Sequence, residues 1–250
     1  MISQQQVASF RREGYLNLPG FFDASELARI ISWVDEIQAW PETPGEHMMY
    51  FEQSRDGKNT RLLNRLENFV PYHDGLAGLC LDGDLKGGCG DLFGEPAALF
   101  KEKVNFKLPG GDGFEPHQDV QAGWDDYVSI AVTAMVTIDE TTPENGCLEI
   151  ARWTHRKEMI GELWRPLQPE ELLDVEFVSL PSKPGDVVFF DSFIPHQSAP
   201  NNTDSPRRVL YVTYNPASDG DHREKYYADK RKSYPPDCER DPGKVYEYKV

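Results

Sequence analysis

Cysteine is scarce in this 250-residue chain, and no two of its four cysteines form a CxxC pair. Cys80, Cys89, Cys147 and Cys238 are irregularly spaced. That pattern excludes a zinc ribbon, a thioredoxin-type motif and a disulfide scaffold, and reduced thiols are expected. Long apolar runs are missing too: no stretch approaches the ~20 residues that span a bilayer. The opening MISQQQVASFRREG lacks the apolar segment of a secretory signal, so a cytoplasmic location is expected. Basic residues are outnumbered, with 26 Lys and Arg against 42 Asp and Glu, a formal charge of −16. An acidic surface repels phosphate backbones and anionic bilayers, so neither nucleic acid nor membrane is an expected partner. The glycines of LDGDLKGGCGDLFG follow no strand and open no amphipathic helix, which rules out a dinucleotide fingerprint. Internal repeats and low-complexity segments are absent.

What remains reads as one folded domain over 1–250, with three parts. The first, about 1–95, is helical. Residues 3–13 form a short polar helix and Tyr15 to Leu18 a brief strand. Asp23 and Ser25 can cap a helix whose Leu27, Ile30, Ile31, Val34 and Ile37 share one face. Trp40-Pro41 ends it. Residues 41–60 carry no definite pattern, 61–80 reads as helical, and a glycine-rich break follows. From about 97 to 215 the pattern changes to strands, at 99–108, 114–119, 127–138, 147–151, 175–180, 186–191 and 208–214. Turn signals such as PGGDG, PENG and KPGD separate them. Seven or so such strands predict a mainly β sandwich, jelly roll or barrel, with the helices packed outside. Residues 216–250 read as a wrapped extension.

Two of the six histidines open a carboxylate pair, His117-Gln118-Asp119 and His222-Arg223-Glu224. In a strand, residues i and i+2 point to one face, so such a pair can converge on one metal. A further ligand from a distant strand completes a facial triad with open positions, the arrangement that suits Fe(II) oxygenase chemistry. With aspartate so common here, a lone HxD carries little information. Context selects the first pair: His117 follows a glycine-rich turn, and His196 lies downstream at the end of the apolar run GDVVFFDSFIPH. His222 sits in a charged stretch with no later histidine. His47, His73 and His155 fall in polar, non-strand contexts and read as surface or structural.

Fe(II) sites of this kind draw electrons from 2-oxoglutarate, whose far carboxylate is best held by a bidentate guanidinium. Arg207 and Arg208 open the apolar strand RVLYVTY soon after His196, and only one of two neighbours can point inward. Lys101, Lys103, Asn105 and Lys107 alternate with Phe100, Val104, Phe106 and Leu108. Their polar face either lines the site or meets solvent. Trp124 and Tyr127 follow the first ligands closely and are candidate substrate contacts.

Several segments together carry a resemblance: HQD at 117–119, NGCLEI at 145–150, PGDVVFFDSFIPHQSAPN at 184–201, PRRVLYVTYN at 206–215 and the opening FRREGYLNLPGFFDASEL. The chain resembles the phytanoyl-CoA dioxygenase family of Fe(II)/2-oxoglutarate oxygenases over nearly its whole length. The resemblance implies a double-stranded β-helix, with Fe(II) on His117, Asp119 and His196 and the 2-oxoglutarate anchor on Arg207. Ectoine hydroxylases of the family further imply co-substrate contacts at Asn105, Phe114 and Ser198; Lys103 is added from the polar face. Where many members have PGSH, this chain has Ala151-Arg152-Trp153-Thr154-His155, so Arg152 and Trp153 are expected to reshape the substrate rim. The stretch FKEKVNFKLPGGDGFEPHQD and the tail YYADKRKSYPPD resemble bacterial small-molecule members, one group of which acts on aminoalkylphosphonates.

The implied reaction hydroxylates an unactivated C–H bond of a small organic molecule, using 2-oxoglutarate and O2 and releasing succinate and CO2. Two rivals stand beside it: a cupin-like metal isomerase or lyase without 2-oxoglutarate, and a catalytically silent binding protein on the same fold. The arginine spacing argues against the first and the intact triad against the second.

Overall fold

The computed structural model describes residues 1–152 and 157–246. Helix α1 (Gln4–Glu13) starts at a capping box between Ser3 and Gln6 and stops at Gly14. Strand β1 (Tyr15–Leu18) follows. Helix α2 (Ala24–Gln38) begins at Asp23, whose side chain accepts from the Ser25 and Glu26 amides, and it buries Ile30, Val34 and Ile37 as the spacing predicts.

The next segments depart from the sequence reading. Residues 41–60 contain strand β2 (Met48–Gln53). The helix expected over 61–80 is replaced at its start by strand β3 (Arg61–Glu67), and only Asp74–Leu81 is helical (α3). Arg65 and Glu67 mimic the wet side of a helix. They are in fact inward-facing residues of a strand, in register with Asn105 and Lys103 of its neighbour. The glycine-rich stretch is not a break but helix α4 (Asp84–Phe93). Gly88 lies so close to the sheet that a Cβ there would meet the Phe189 ring at 3.1 Å. Close packing outweighs the low helix propensity of glycine.

The strand region follows the expected plan. It comprises β4 (Ala97–Lys107), β5 (Phe114–His117), β6 (Val132–Thr137), β7 (Leu148–Arg152), β8 (Glu176–Leu180), β9 (Val187–Asp191), β10 (His196–Ser198) and β11 (Arg207–Pro216). The strand expected over 127–138 starts only at Val132, after a 3-10 turn at Trp124–Asp126. The one expected over 114–119 stops at His117. The extension after Pro216 carries helix α5 (Arg223–Ser233), which packs on β4.

These strands form two antiparallel sheets. One has seven strands in the order β1-β9-β6-β11-β4-β3-β2, the other four in the order β5-β10-β7-β8. The result is the jelly roll expected above, with helices outside the larger sheet. Val104 and Phe106 of β4, and Leu210 and Val212 of β11, pack with Ile30, Val34, Leu76 and Leu85 of the helices. Each such buried side chain contributes about 1.5–3 kcal/mol. The inner face of the same strands forgoes that gain, carrying Lys101, Lys103, Asn105, Lys107, Tyr211 and Thr213 instead. One outer-face assignment fails: Phe100 joins Trp124, Tyr226 and Tyr227 in a separate cluster. A bulge opposite Thr213 and Tyr214 makes Phe100 the extra residue on β4 and breaks the alternation. Among the described residues no helix is long and apolar enough to cross a membrane.

Candidate active site

His117 ends β5, Asp119 opens the 3-10 turn behind it, and His196 begins β10. β5 and β10 pair so that His196 lies directly opposite His117, with ring centroids 4.3 Å apart. One ligand atom from each of the three residues lies within 4.8 Å of the others. Asp119 reaches the cluster from a turn rather than from the strand that an i, i+2 argument assumes.

The rings are held from behind. Nδ1 of His117 lies 2.7 Å from the Glu115 carbonyl, and Nδ1 of His196 lies 3.0 Å from the Ile194 carbonyl. A carbonyl only accepts, so each Nδ1 carries the proton and each Nε2 is left as a lone-pair donor. Burial, aided by the neighbouring His196, pushes the His117 pKa down to about 3. Burial lowers His196 as well, although Asp119 opposes it. At Asp119 burial works against the charge, but His196, Lys103 and His117 outweigh it and hold the carboxyl below its ordinary value. Two neutral imidazoles and one carboxylate on a single side, with a cavity on the other, match the donor set of a facial Fe(II) site.

The cavity has a volume of about 460 Å³. Of the residues singled out from sequence, Arg207 lies outside the lining, while Lys103, Asn105, Phe114, Ser198, Trp124 and Tyr127 all line it. Arg152 does not: it ends β7 exposed and is absent from the lining. β7 runs past its partner β10, which pairs only with Glu149 and Ile150, so its last side chain meets solvent. Trp153 and His155 lie outside the described residues. His47 is buried, with Nε2 3.0 Å from the Pro41 carbonyl, and His73 caps α3 by accepting from the Leu76 amide. His222 precedes α5, Nε2 lying 2.7 Å from the Asp219 carbonyl.

The pleat turns the paired arginines to opposite faces of the sheet. Arg208 faces the helices, forks onto Asp139 at 2.8 and 3.0 Å and reaches Asp35 of α2. Arg207 faces inward and is buried. It donates to the Gly146 carbonyl, meets the Tyr211 hydroxyl and leaves Nε without a partner. Lys107 lies opposite it in register and donates to Ser198 Oγ at 2.8 Å and to the Ala199 carbonyl at 2.5 Å. Burial, with Arg207 next to it, lowers the Lys107 pKa to about 6. Among the described residues neither cation pairs with a carboxylate. The buried Arg207 charge left this way is costly, and an anion arriving from elsewhere offsets it. The residues present therefore fit a carboxylate, and Tyr211 and Ser198, which line the cavity, link this pair to the triad chamber.

A sequence model of the phytanoyl-CoA dioxygenase (PhyH) family matches residues 10–209. The chain belongs to this family. It is 39% identical to a 2-aminoethylphosphonate dioxygenase from the uncultured bacterium HF130_AEPn_1, over 98% of this chain and 93% of that one. It is 38% identical to a methylphosphonate hydroxylase from Gimesia maris, over 93% and 88%. Among solved structures it resembles EctD from S. alaskensis with 2-oxoglutarate and 5-hydroxyectoine. There the TM-score is 0.73, with 25% identity over 87% of this chain and 77% of that one. With the triad in place, the protein is a non-haem, Fe(II)- and 2-oxoglutarate-dependent dioxygenase acting on a small molecule.

Sequence reasoning missed several cavity residues. Arg65 was hidden by the helical reading of 61–80, and Lys230 and Tyr226 by the lack of any pattern in the tail. The alternation from Lys101 to Lys107 did signal the polar wall, but not which side of the sheet it faced.

Proposed function

We propose that this dioxygenase hydroxylates a C–H bond of a small phosphonate. The observation that carries the reading is a cation-lined cavity opening onto the triad, in a chain whose two relatives above are named for phosphonates. His117, Asp119 and His196 hold Fe(II). Arg207, with Lys107, takes the far carboxylate of 2-oxoglutarate, and Asn105, Phe114 and Ser198 flank the co-substrate along its length. When bound, the metal and co-substrate supply the oxidising chemistry, in which one atom of O2 enters the product and the other enters succinate as CO2 leaves.

The chain's own residues have four tasks in this scheme. The two Nδ1–H bonds to carbonyls keep the imidazoles neutral and aimed. Arg207 and Lys107 fix one end of the co-substrate, so its other end meets the metal in one orientation. Trp124, Trp164 and Tyr127 wall the cavity and restrict water. The basic side chains on its inner wall orient the substrate.

The test is a coupled assay with Fe(II), ascorbate and 2-oxoglutarate in air. Methylphosphonate or 2-aminoethylphosphonate is expected to raise O2 uptake and succinate formation at least tenfold, with one hydroxylated phosphonate per succinate by phosphorus NMR. Succinate formation that stays at its substrate-free rate with every phosphonate contradicts the reading.

A further inference from the structure

The cavity lining has a basic centre of its own, distinct from the Arg207–Lys107 pair, which lies outside that lining. Arg65 of β3, Lys101 and Lys103 of β4 and Lys230 of α5 all line the cavity. His117, Asp119 and His196 line the same cavity. Glu67 is the carboxylate that pairs within this group among the described residues. It is fully buried and pairs with Arg65 at 2.7 Å and with Lys230 at 2.6 Å. Lys101 donates to the Tyr226 hydroxyl at 2.9 Å and lies 5.2 Å from the Trp124 ring centroid. The Lys103 ammonium lies 5.0 Å from the Tyr211 ring centroid and has no hydrogen bond or ion pair among the described residues.

Among the described residues these four basic side chains share one paired carboxylate, a surplus of basic groups that burial answers by pushing the Lys103 pKa down to about 8 and the Lys230 pKa well below the ordinary lysine range. Fe(II) with Asp119 and a doubly charged co-substrate sums to about one negative charge, which is too little to balance it. Such a surplus inside a low-dielectric cavity either sheds protons or is completed by a multiply charged anion. The donors come from three elements and converge from several directions, which suits a tetrahedral group better than a planar carboxylate. α5 forms one wall of this chamber: Lys230 pairs with Glu67, Tyr226 with Lys101, and the Tyr50 hydroxyl donates to the Tyr234 carbonyl just beyond the helix at 3.0 Å.

We infer that Arg65, Lys101, Lys103 and Lys230 form the seat for a doubly charged tetrahedral oxyanion on the substrate, and that Glu67 holds two of these cations in position from below. This deepens the phosphonate reading and rests on it. α5 is then part of the specificity apparatus, although it lies beyond the segment that the family model matches.

The experiment titrates the anaerobic Fe(II)–2-oxoglutarate protein, followed by its visible charge-transfer band, with methylphosphonate, inorganic phosphate and propionate. In wild type, methylphosphonate and phosphate are expected to perturb the band, methylphosphonate at lower concentration, with propionate at least tenfold weaker. Lys101→Met and Lys230→Met are expected to raise the half-saturating methylphosphonate concentration at least tenfold, while that of 2-oxoglutarate moves less than twofold. Lys230→Met exposes the Glu67 charge and can unfold the chain, so the double variant Glu67→Gln/Lys230→Met is measured beside it. Unchanged phosphonate titration in Lys101→Met and the double variant overturns the seat. Equal response to propionate overturns the tetrahedral preference. Loss of the band itself in wild type is a different result, since it counts against the Fe(II)/2-oxoglutarate reading.

Discussion

Single side chains carry most of the chemistry, and the most informative of them is Lys107. Its ammonium is buried beside Arg207, and its pKa falls from the ordinary lysine range to about 6. Without co-substrate it is therefore neutral above that pH, while an unfolded chain still protonates it up to ~10.4. The unfolded state binds the extra proton throughout this window, so Lys107 lowers the stability of the ligand-free protein most below pH 6, and the penalty fades as pH rises. A dicarboxylate placed against Lys107 raises its pKa. Binding of 2-oxoglutarate at pH 7.5 is then expected to take up close to one proton, and affinity is expected to fall as pH rises above 6. Calorimetry in buffers of different ionisation enthalpy measures the uptake. Zero uptake in wild type, or equal uptake in Lys107→Met, contradicts the assignment.

At the scale of elements, the site depends on close approach between loops and strands. Gly146, in the turn before β7, has φ +75° and carries the carbonyl that Arg207 donates to; a Cβ there would meet the Ala199 carbonyl oxygen at 1.9 Å. Alanine at 146 faces about 1–2 kcal/mol from the left-handed backbone alone, and the clash adds to it. Gly146→Ala is expected to weaken 2-oxoglutarate binding at least tenfold and lower the melting temperature, while metal affinity falls less, because His117 and Asp119 lie on other segments and His196 is three residues from the clash. Fluorescence-quench titration and differential scanning fluorimetry check both; loss of metal affinity alone goes against it. Element scale is also where the sequence was hardest to read. The apolar stripe of α2 and the strand-and-turn rhythm from β4 onward were legible because their outer faces are apolar. β3 was not, because Arg65 and Glu67 point into a polar chamber, and that reverses the rule that charge means solvent. α4 was hidden by glycines needed for packing, and the Phe100 bulge left no local signal. The triad and Arg207 were legible as types at a spacing. That Arg208 is drawn outward by Asp139 and Asp35 became visible only with the fold.

For the whole molecule, charge is distributed against its average. The chain carries −16, yet its interior gathers six inward-facing basic side chains: Arg65, Lys101, Lys103 and Lys230 in the cavity lining, and Lys107 and Arg207 beyond it. The jelly roll makes this possible by turning one face of its larger sheet to the helices and the other to the site. A cupin-like metal enzyme without 2-oxoglutarate has no need of the buried Arg207–Lys107 pair, and a silent binding protein has no need of an open-sided triad. The central claim is therefore that metal and co-substrate bind together at one centre. Anaerobic absorbance titration with Fe(II) and then 2-oxoglutarate tests it most directly, with wild type beside His196→Ala and Arg207→Ala. A visible charge-transfer band is expected in wild type and absent in His196→Ala. In Arg207→Ala it is expected to appear only at roughly 10- to 100-fold higher 2-oxoglutarate, the loss of about 1.5–3 kcal/mol from a charge-assisted hydrogen bond. Metal binding with no band in wild type would contradict the account.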